Sequence, residues 1–128
     1  MKTLTEEILD VISKSEVVTI ATAGPDGPHL VATWGDFIAQ LDTGDGKTLL
    51  IPAGGYKTTE TNLGKDNRVA LIAGSKQVPG KSGSGGGFRL TGTGRIESNG
   101  KWKDMVAEKF PWARAAFVIE VEGAEQLL

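Results

Sequence analysis

Turn signals constrain this chain more than its hydrophobic content does. Gly24-Pro25-Asp26-Gly27 separates two runs rich in β-branched and apolar residues, Val17–Thr22 and His29–Trp34, too closely for anything but a hairpin. A second turn, Asp42-Thr43-Gly44-Asp45-Gly46, lies between a third segment, Phe37–Leu41, and a short buried strand, Thr48–Ile51, that ends at Pro52. Parallel neighbours need crossovers of a dozen or more residues, and these strands do not alternate with helices of that length. The expectation is a mainly β chain: six or seven strands in a small antiparallel barrel with two or three short helices.

The rest of the pattern fills in that frame. Residues 3–15 carry Leu4, Ile8, Val11 and Ile12 on one helical stripe, and Thr3 with Glu6 has the spacing of a capping box. Residues 57–65 read as a short polar helix, and Val69–Ala73 as a strand apolar on both faces. The glycine-rich stretch 76–87 reads as a flexible loop. Phe88–Glu97 alternates, with Phe88, Leu90, Gly92, Gly94 and Ile96 on one face. A helix over Trp102–Phe110 stops at Pro111, and a last strand turns Ala115, Phe117, Ile119 and Val121 inward against Val118, Glu120 and Glu122.

Composition narrows the function classes. The 128 residues fit one domain, 1–128, within the soluble globular range. Lys+Arg 14 against Asp+Glu 16 leaves no basic surplus, which argues against a nucleic-acid partner. The absence of cysteine excludes disulfides, iron–sulfur clusters and thiol catalysis, and a single histidine leaves little for zinc or copper. No apolar run approaches the ~20 residues of a membrane span, and no signal-peptide core stands at the N-terminus. A cytoplasmic protein without a membrane partner is expected.

Familiar motifs fail on counting. Gly80-Lys81-Ser82 lacks the earlier glycine of a P-loop, because Ser75 holds that position; Gly46-Lys47-Thr48 fails likewise at Leu41. Gly83 and Gly85 are followed by Phe88 where a dinucleotide fingerprint needs its third glycine. His29 could be grouped with any serine into a triad, but such a grouping exists in almost any chain. One stretch does stand out: Ile51-Pro52-Ala53-Gly54-Gly55-Tyr56-Lys57-Thr58-Thr59-Glu60-Thr61-Asn62-Leu63. A buried strand ends, two glycines permit close backbone approach, and a lysine with hydroxyls opens a helix. Free N–H groups and the helix dipole make that start an anion site; the plain alternative is a threonine-capped connection with a solvated lysine. Trp34 and Trp112 pose a similar choice between core packing and a flat aromatic ligand.

The ordered set of Val17-Val18-Thr19-Ile20-Ala21-Thr22, Asp26-Gly27-Pro28-His29-Leu30-Val31, Thr33-Trp34, Gly54-Gly55 and Thr59-Glu60 resembles the FMN-binding split-barrel superfamily, relatives of pyridoxamine 5′-phosphate oxidase. Gly74-Ser75, Phe110-Pro111-Trp112-Ala113-Arg114-Ala115-Ala116 and Ala124-Glu125-Gln126-Leu127-Leu128 continue the likeness, which is greatest to the small bacterial FMN-binding members. The resemblance implies a split barrel of six antiparallel strands in Greek-key order, a homodimer, and one FMN per subunit at the interface. It implies that Thr33 and Trp34 line the flavin pocket and that the backbone of Ala53, Gly54 and Gly55 approaches the ring or ribityl chain. Lys57, Thr58, Thr59 and Asn62 would surround the phosphate, with Ser75 and Lys76 as further contacts. Trp112 would be the second aromatic, and Leu128 would reach across the interface to cover the flavin.

Two positions depart from the family pattern. A lysine is common where Thr58 stands, so either Lys57 reaches round or Lys76 compensates. A tyrosine is common where Phe37 stands, removing one hydroxyl. In function, the resemblance implies a small flavin redox protein passing electrons to a partner protein. The alternative is a flavin reductase or pyridoxamine 5′-phosphate oxidase-like oxidoreductase with a nicotinamide or small-molecule substrate. A third reading is an FMN storage or sensing module.

Overall fold

A computed structural model of the protein describes residues 3–128. Its strands are β1 (Val17–Gly24), β2 (Gly27–Trp34), β3 (Thr48–Ala53), β4 (Arg68–Gly80), β5 (Gly83–Glu97) and β6 (Ala115–Gln126). They form one six-stranded sheet in the order β2-β1-β4-β5-β6-β3 with every pair antiparallel, and the sheet curls into the expected split barrel. Among the described residues there are also four helices: α1 (Glu6–Lys14), α2 (Gly35–Ala39), α3 (Lys57–Lys65) and α4 (Lys101–Lys109). Among the described residues, no helix is long and apolar enough to cross a membrane.

The core is divided by the β3–β6 pair. Inside the barrel, Ile20, Ile51, Leu71, Leu90, Phe117 and Ile119 pack with Ile8, Val11 and Ile12 of α1. On the opposite face, Leu50, Ala116 and Val118 pack with Leu41, Val106, Phe110 and Ala113. All of β3 is therefore buried, and so is β6 from Ala115 to Ile119. Val118 was expected to face outward; α4 covers that face, so apolar residues are needed on both sides of the strand. The alternation expected in β5 is present, with Phe88, Leu90, Gly92 and Gly94 buried.

Several boundaries differ from the sequence expectation. The cap of α1 is Thr5, whose hydroxyl accepts from the Ile8 N–H at 3.3 Å, so the Thr3–Glu6 capping box does not form. Ser15 ends that helix and donates to Val11 O at 2.7 Å and to Gly74 O at 3.1 Å, tying α1 to β4. The segment Phe37–Leu41 belongs to a short helix and its exit, which buries Ile38 and Leu41 one turn apart while Phe37 joins the second core. The turn at 42–46 consequently joins a helix to β3. Asp45 organises it: burial opposes ionisation there, but hydrogen bonds from the Thr48 hydroxyl, the Lys47 and Thr48 N–H groups and the Thr43 hydroxyl hold the carboxyl well below the usual carboxylate range. Finally, Val69–Ala73 is apolar on both faces but buried on one: Val69, Leu71 and Ala73 point inward while Ile72 is 52% exposed.

The stretch 76–87 is not a loop. β4 and β5 continue through it as a ladder with one register shift between Ser75 and Pro79, and only Lys81 and Ser82 lie outside the strands. The glycines serve close approach: a Cβ on Gly80 would stand 1.8 Å from Gly85 O, and one on Gly86 would stand 2.6 Å from Pro79 O. Gly80→Ala should therefore lower stability by about 1–3 kcal/mol through overpacking. Gly64→Ala, with nothing within 4 Å of the added atom, should raise it by about 0.4–1 kcal/mol. Urea midpoints check both; equal shifts would show that residues 76–87 do not hold this packed ladder.

Candidate functional site

Three chain segments meet at one end of the barrel. β2 delivers Thr33 and Trp34, the exit of β3 delivers Gly54 and Gly55, and the turn before β6 delivers Trp112. The β3–β6 register, Pro52 opposite Ala116 and Ala53 opposite Ala115, fixes the last two against each other. Trp112 lies so close over Gly54 that a Cβ there would be 3.3 Å from its ring. Phe110 and Phe37 support the indole, with centroids 5.8 and 6.0 Å from it, and Phe37 lies 4.9 Å from Phe110. The aromatic without a hydroxyl at position 37 is thus a packing residue.

These segments enclose a cavity of about 350 Å³ lined by Thr33, Trp34, Gly54, Gly55 and Trp112, together with Val17, Ala32, Phe37, Pro52 and Tyr56. Trp34 is 54% exposed and Trp112 55%, so neither is the ordinary core tryptophan. Ala53 is fully buried beneath the glycines. Tyr56 takes the left-handed conformation at φ 64°, and its hydroxyl donates to Ala32 O at 3.1 Å. Its ring meets Phe117 edge-on at 5.5 Å. Burial pushes the phenol up from its ordinary value, opposed by the neighbouring Thr33 hydroxyl.

From Tyr56 the chain runs directly into α3, whose N-cap side chain makes no capping bond. The N–H groups of the first turn lack intrahelical partners by the geometry of a helix. Lys57 and Thr58 are exposed there, while Thr59 is fully buried. Its Oγ1 is the one buried side-chain polar atom among the described residues with no hydrogen-bond partner. Asn62, one turn on, is buried and donates from Nδ2 to Thr22 Oγ1 at 3.2 Å. An orphaned hydroxyl beside uncapped N–H groups and an ammonium is a donor set suited to an anion, and the half-exposed indoles suit a flat ring.

Two groups of expected site residues lie elsewhere on this subunit. Ser75 and Lys76 sit on β4 at its register shift, where Ser75 Oγ accepts from the Gln77 N–H at 3.1 Å. Leu128 lies against Gly87, exchanging backbone hydrogen bonds with it, and is 62% exposed. None of the three lines the cavity, and neither do Ala53, Lys57, Thr58, Thr59 or Asn62. Sequence reasoning gave no role to Tyr56 or Arg114. Arg114 donates to Gly55 O from Nε at 3.0 Å and from Nη2 at 2.7 Å, and Nη2 lies 3.0 Å from Glu60 Oε1. Its signal was present: a lone charge at the head of the apolar run Ala115–Ile119 needs a partner.

The sequence profile of pyridoxamine 5′-phosphate oxidase matches residues 4–127. The chain belongs to this family. Among its relatives, the FMN-binding protein of Nitratidesulfovibrio vulgaris (strain DSM 19637 / Miyazaki F) is 43% identical over 119 residues, 93% of this chain and 94% of that one. Solved structures share the fold at lower identity. HupZ from Group A Streptococcus superposes with a TM-score of 0.73 at 19% identity, covering 96% of this chain and 93% of that one. An FMN-binding protein from Syntrophomonas wolfei subsp. wolfei gives 0.65 at 15%, covering 98% and 86%.

The unpartnered hydroxyl of Thr59 is a local cost to stability. Thr59→Val keeps the side chain's branched shape and removes the orphaned hydroxyl. The ligand-free protein should gain about 1 kcal/mol, read as a higher urea midpoint. An unchanged or lower midpoint would mean that the hydroxyl is already satisfied.

Proposed function

We propose that the protein binds FMN non-covalently, with the ring between Trp34 and Trp112 over Gly54 and Gly55, and acts as a small flavin redox protein in electron transfer. The observation that carries this reading is that Tyr56, in the wall of the tryptophan-lined cavity, is also the N-cap of α3, whose first turn is uncapped and holds the unpartnered Thr59 hydroxyl. Lys57, Thr58 and Thr59 hold the phosphate, and Asn62, fixed by Thr22, backs them. Bound FMN supplies the one- and two-electron chemistry, and the chain tunes it by packing and charge. Family membership and the 43% identical FMN-binding protein support the same cofactor.

The cavity wall favours a carrier over an enzyme with a substrate of its own. Among the described residues, Tyr56 is the only titratable side chain in that wall, and burial keeps its proton in place. Such a wall binds and orients a ring without a group poised to move a proton.

The working unit of this reading is a homodimer. The outer face of the β2-β1-β4 sheet carries Leu30 at 63%, Ile72 at 52% and Val17 at 49% exposure, a large apolar surface for a lone subunit. Beside them lies a hollow of about 590 Å³ whose lining includes Ala21, Ala23 and Ala70, shaped to take such side chains from a second copy. Val17 and Trp34, paired in register, belong to both this face and the flavin cavity, so pairing would also close the cavity's edge. Leu128 contributes to the cover over the partner's flavin.

The purified protein should show flavin absorption, sediment as a dimer at micromolar concentration, and resist reduction by NADH or NADPH alone. Lys57→Ala should weaken FMN about tenfold to a hundredfold and spare riboflavin, the effect of one charge-assisted hydrogen bond of about 1.5–3 kcal/mol. A larger loss for Lys76→Ala would move the phosphate contact to β4. Rapid turnover of NADH without a partner would replace the carrier reading with the reductase.

A further inference from the structure

We infer that Arg114 is a positioning residue for the phosphate: it cancels the charge of Glu60 and so leaves the first turn of α3 free to take an external anion. This inference rests on the flavin reading above. Glu60 stands in that first turn, where a carboxylate interacts favourably with the helix dipole. The same negative charge repels a phosphate arriving at the same N–H groups. The Arg114 guanidinium lies 3.0 Å from Glu60 Oε1; the arginine side chain is 25% exposed and the glutamate 44%, so the arginine end of the pair is the shielded one.

The backbone shows that this guanidinium is held in place. The Arg114 N–H donates to Ala53 O at 2.8 Å, at the mouth of the β3–β6 ladder. Two further bonds from the side chain grip Gly55 O. In a planar trans peptide the carbonyl and the following N–H point in opposite directions. Binding Gly55 O therefore aims the Tyr56 N–H away from Arg114 and fixes the turn in which Tyr56 adopts positive φ. One side chain thus sets both the charge at the helix start and the course of the chain leading to it.

The ratio of FMN to riboflavin affinity separates these effects, because loosening the turn weakens both ligands while the charge of Glu60 acts on the phosphate alone. Arg114→Ala should lower the ratio about tenfold, equivalent to about 1.4 kcal/mol. Glu60→Gln in the Arg114→Ala background should restore the ratio to within about threefold of wild type, and Arg114→Lys should keep most of it. Glu60→Gln alone, which leaves the arginine anchors on Gly55 and Ala53, should change the ratio less than about threefold. That single variant decides the matter if Arg114→Ala fails to fold: a tenfold rise would show that Glu60 is not cancelled and overturn the inference. A ratio unmoved by Arg114→Ala, or lowered and not restored by Glu60→Gln, would also overturn it, the latter by making Arg114 a direct phosphate ligand. A wild-type ratio near one would overturn this inference by showing that no phosphate is held at α3, whereas a protein that binds neither FMN nor riboflavin would remove the flavin reading itself.

Discussion

The β3–β6 ladder, buried on both faces, is the constraint on which the rest of the structure depends. Because Ala115–Ile119 packs against the barrel interior on one side and the α4 layer on the other, its register against Thr48–Ala53 has little freedom to slip. A one-residue shift would exchange the two core faces and carry Trp112 off Gly54. The same ladder sets Arg114 beside Ala53 and Gly55 and thereby shapes the turn into α3. The apolar core does more than stabilise the barrel; it aligns the groups around the cavity.

The start of α3 carries two features that cost stability. A hydroxyl buried without a partner costs about 1–3 kcal/mol, and Tyr56 sits in a conformation that non-glycine residues avoid. Tyr56 lies in the connection between Gly54-Gly55 and α3, and Thr59 in the first turn of that helix. They are retained because the surroundings enforce them: Arg114 grips Gly55, while Phe117 and Ala32 hold Tyr56. Under the proposed FMN reading, a helix start held in this way has less to reorganise on binding.

What the sequence revealed follows from the range of each signal. Strand faces with period two, as in β5, were legible because alternation is local. Val118 was misplaced because alternation within the strand does not show that α4, the element just before it, folds back over its outer face. Residues 76–87 were misread because glycine composition does not distinguish a loose loop from a ladder whose backbones nearly touch. The five residues of α2 are too few to show a helical period. At the site, resemblance pointed to Thr33, Trp34, Gly54, Gly55 and Trp112, which the fold brings together around one cavity. Tyr56 and Arg114 stayed hidden because their roles are tertiary: a positive φ, and a guanidinium bonded to a carbonyl fifty-nine positions away.

A crystal structure of the protein with FMN bound tests the central claim most directly. The account predicts a phosphate oxygen about 3 Å from Thr59 Oγ1, the isoalloxazine ring between Trp34 and Trp112, and Arg114 still on Gly55 and Glu60. A phosphate held elsewhere, with the Thr59 hydroxyl still unpartnered, would contradict it.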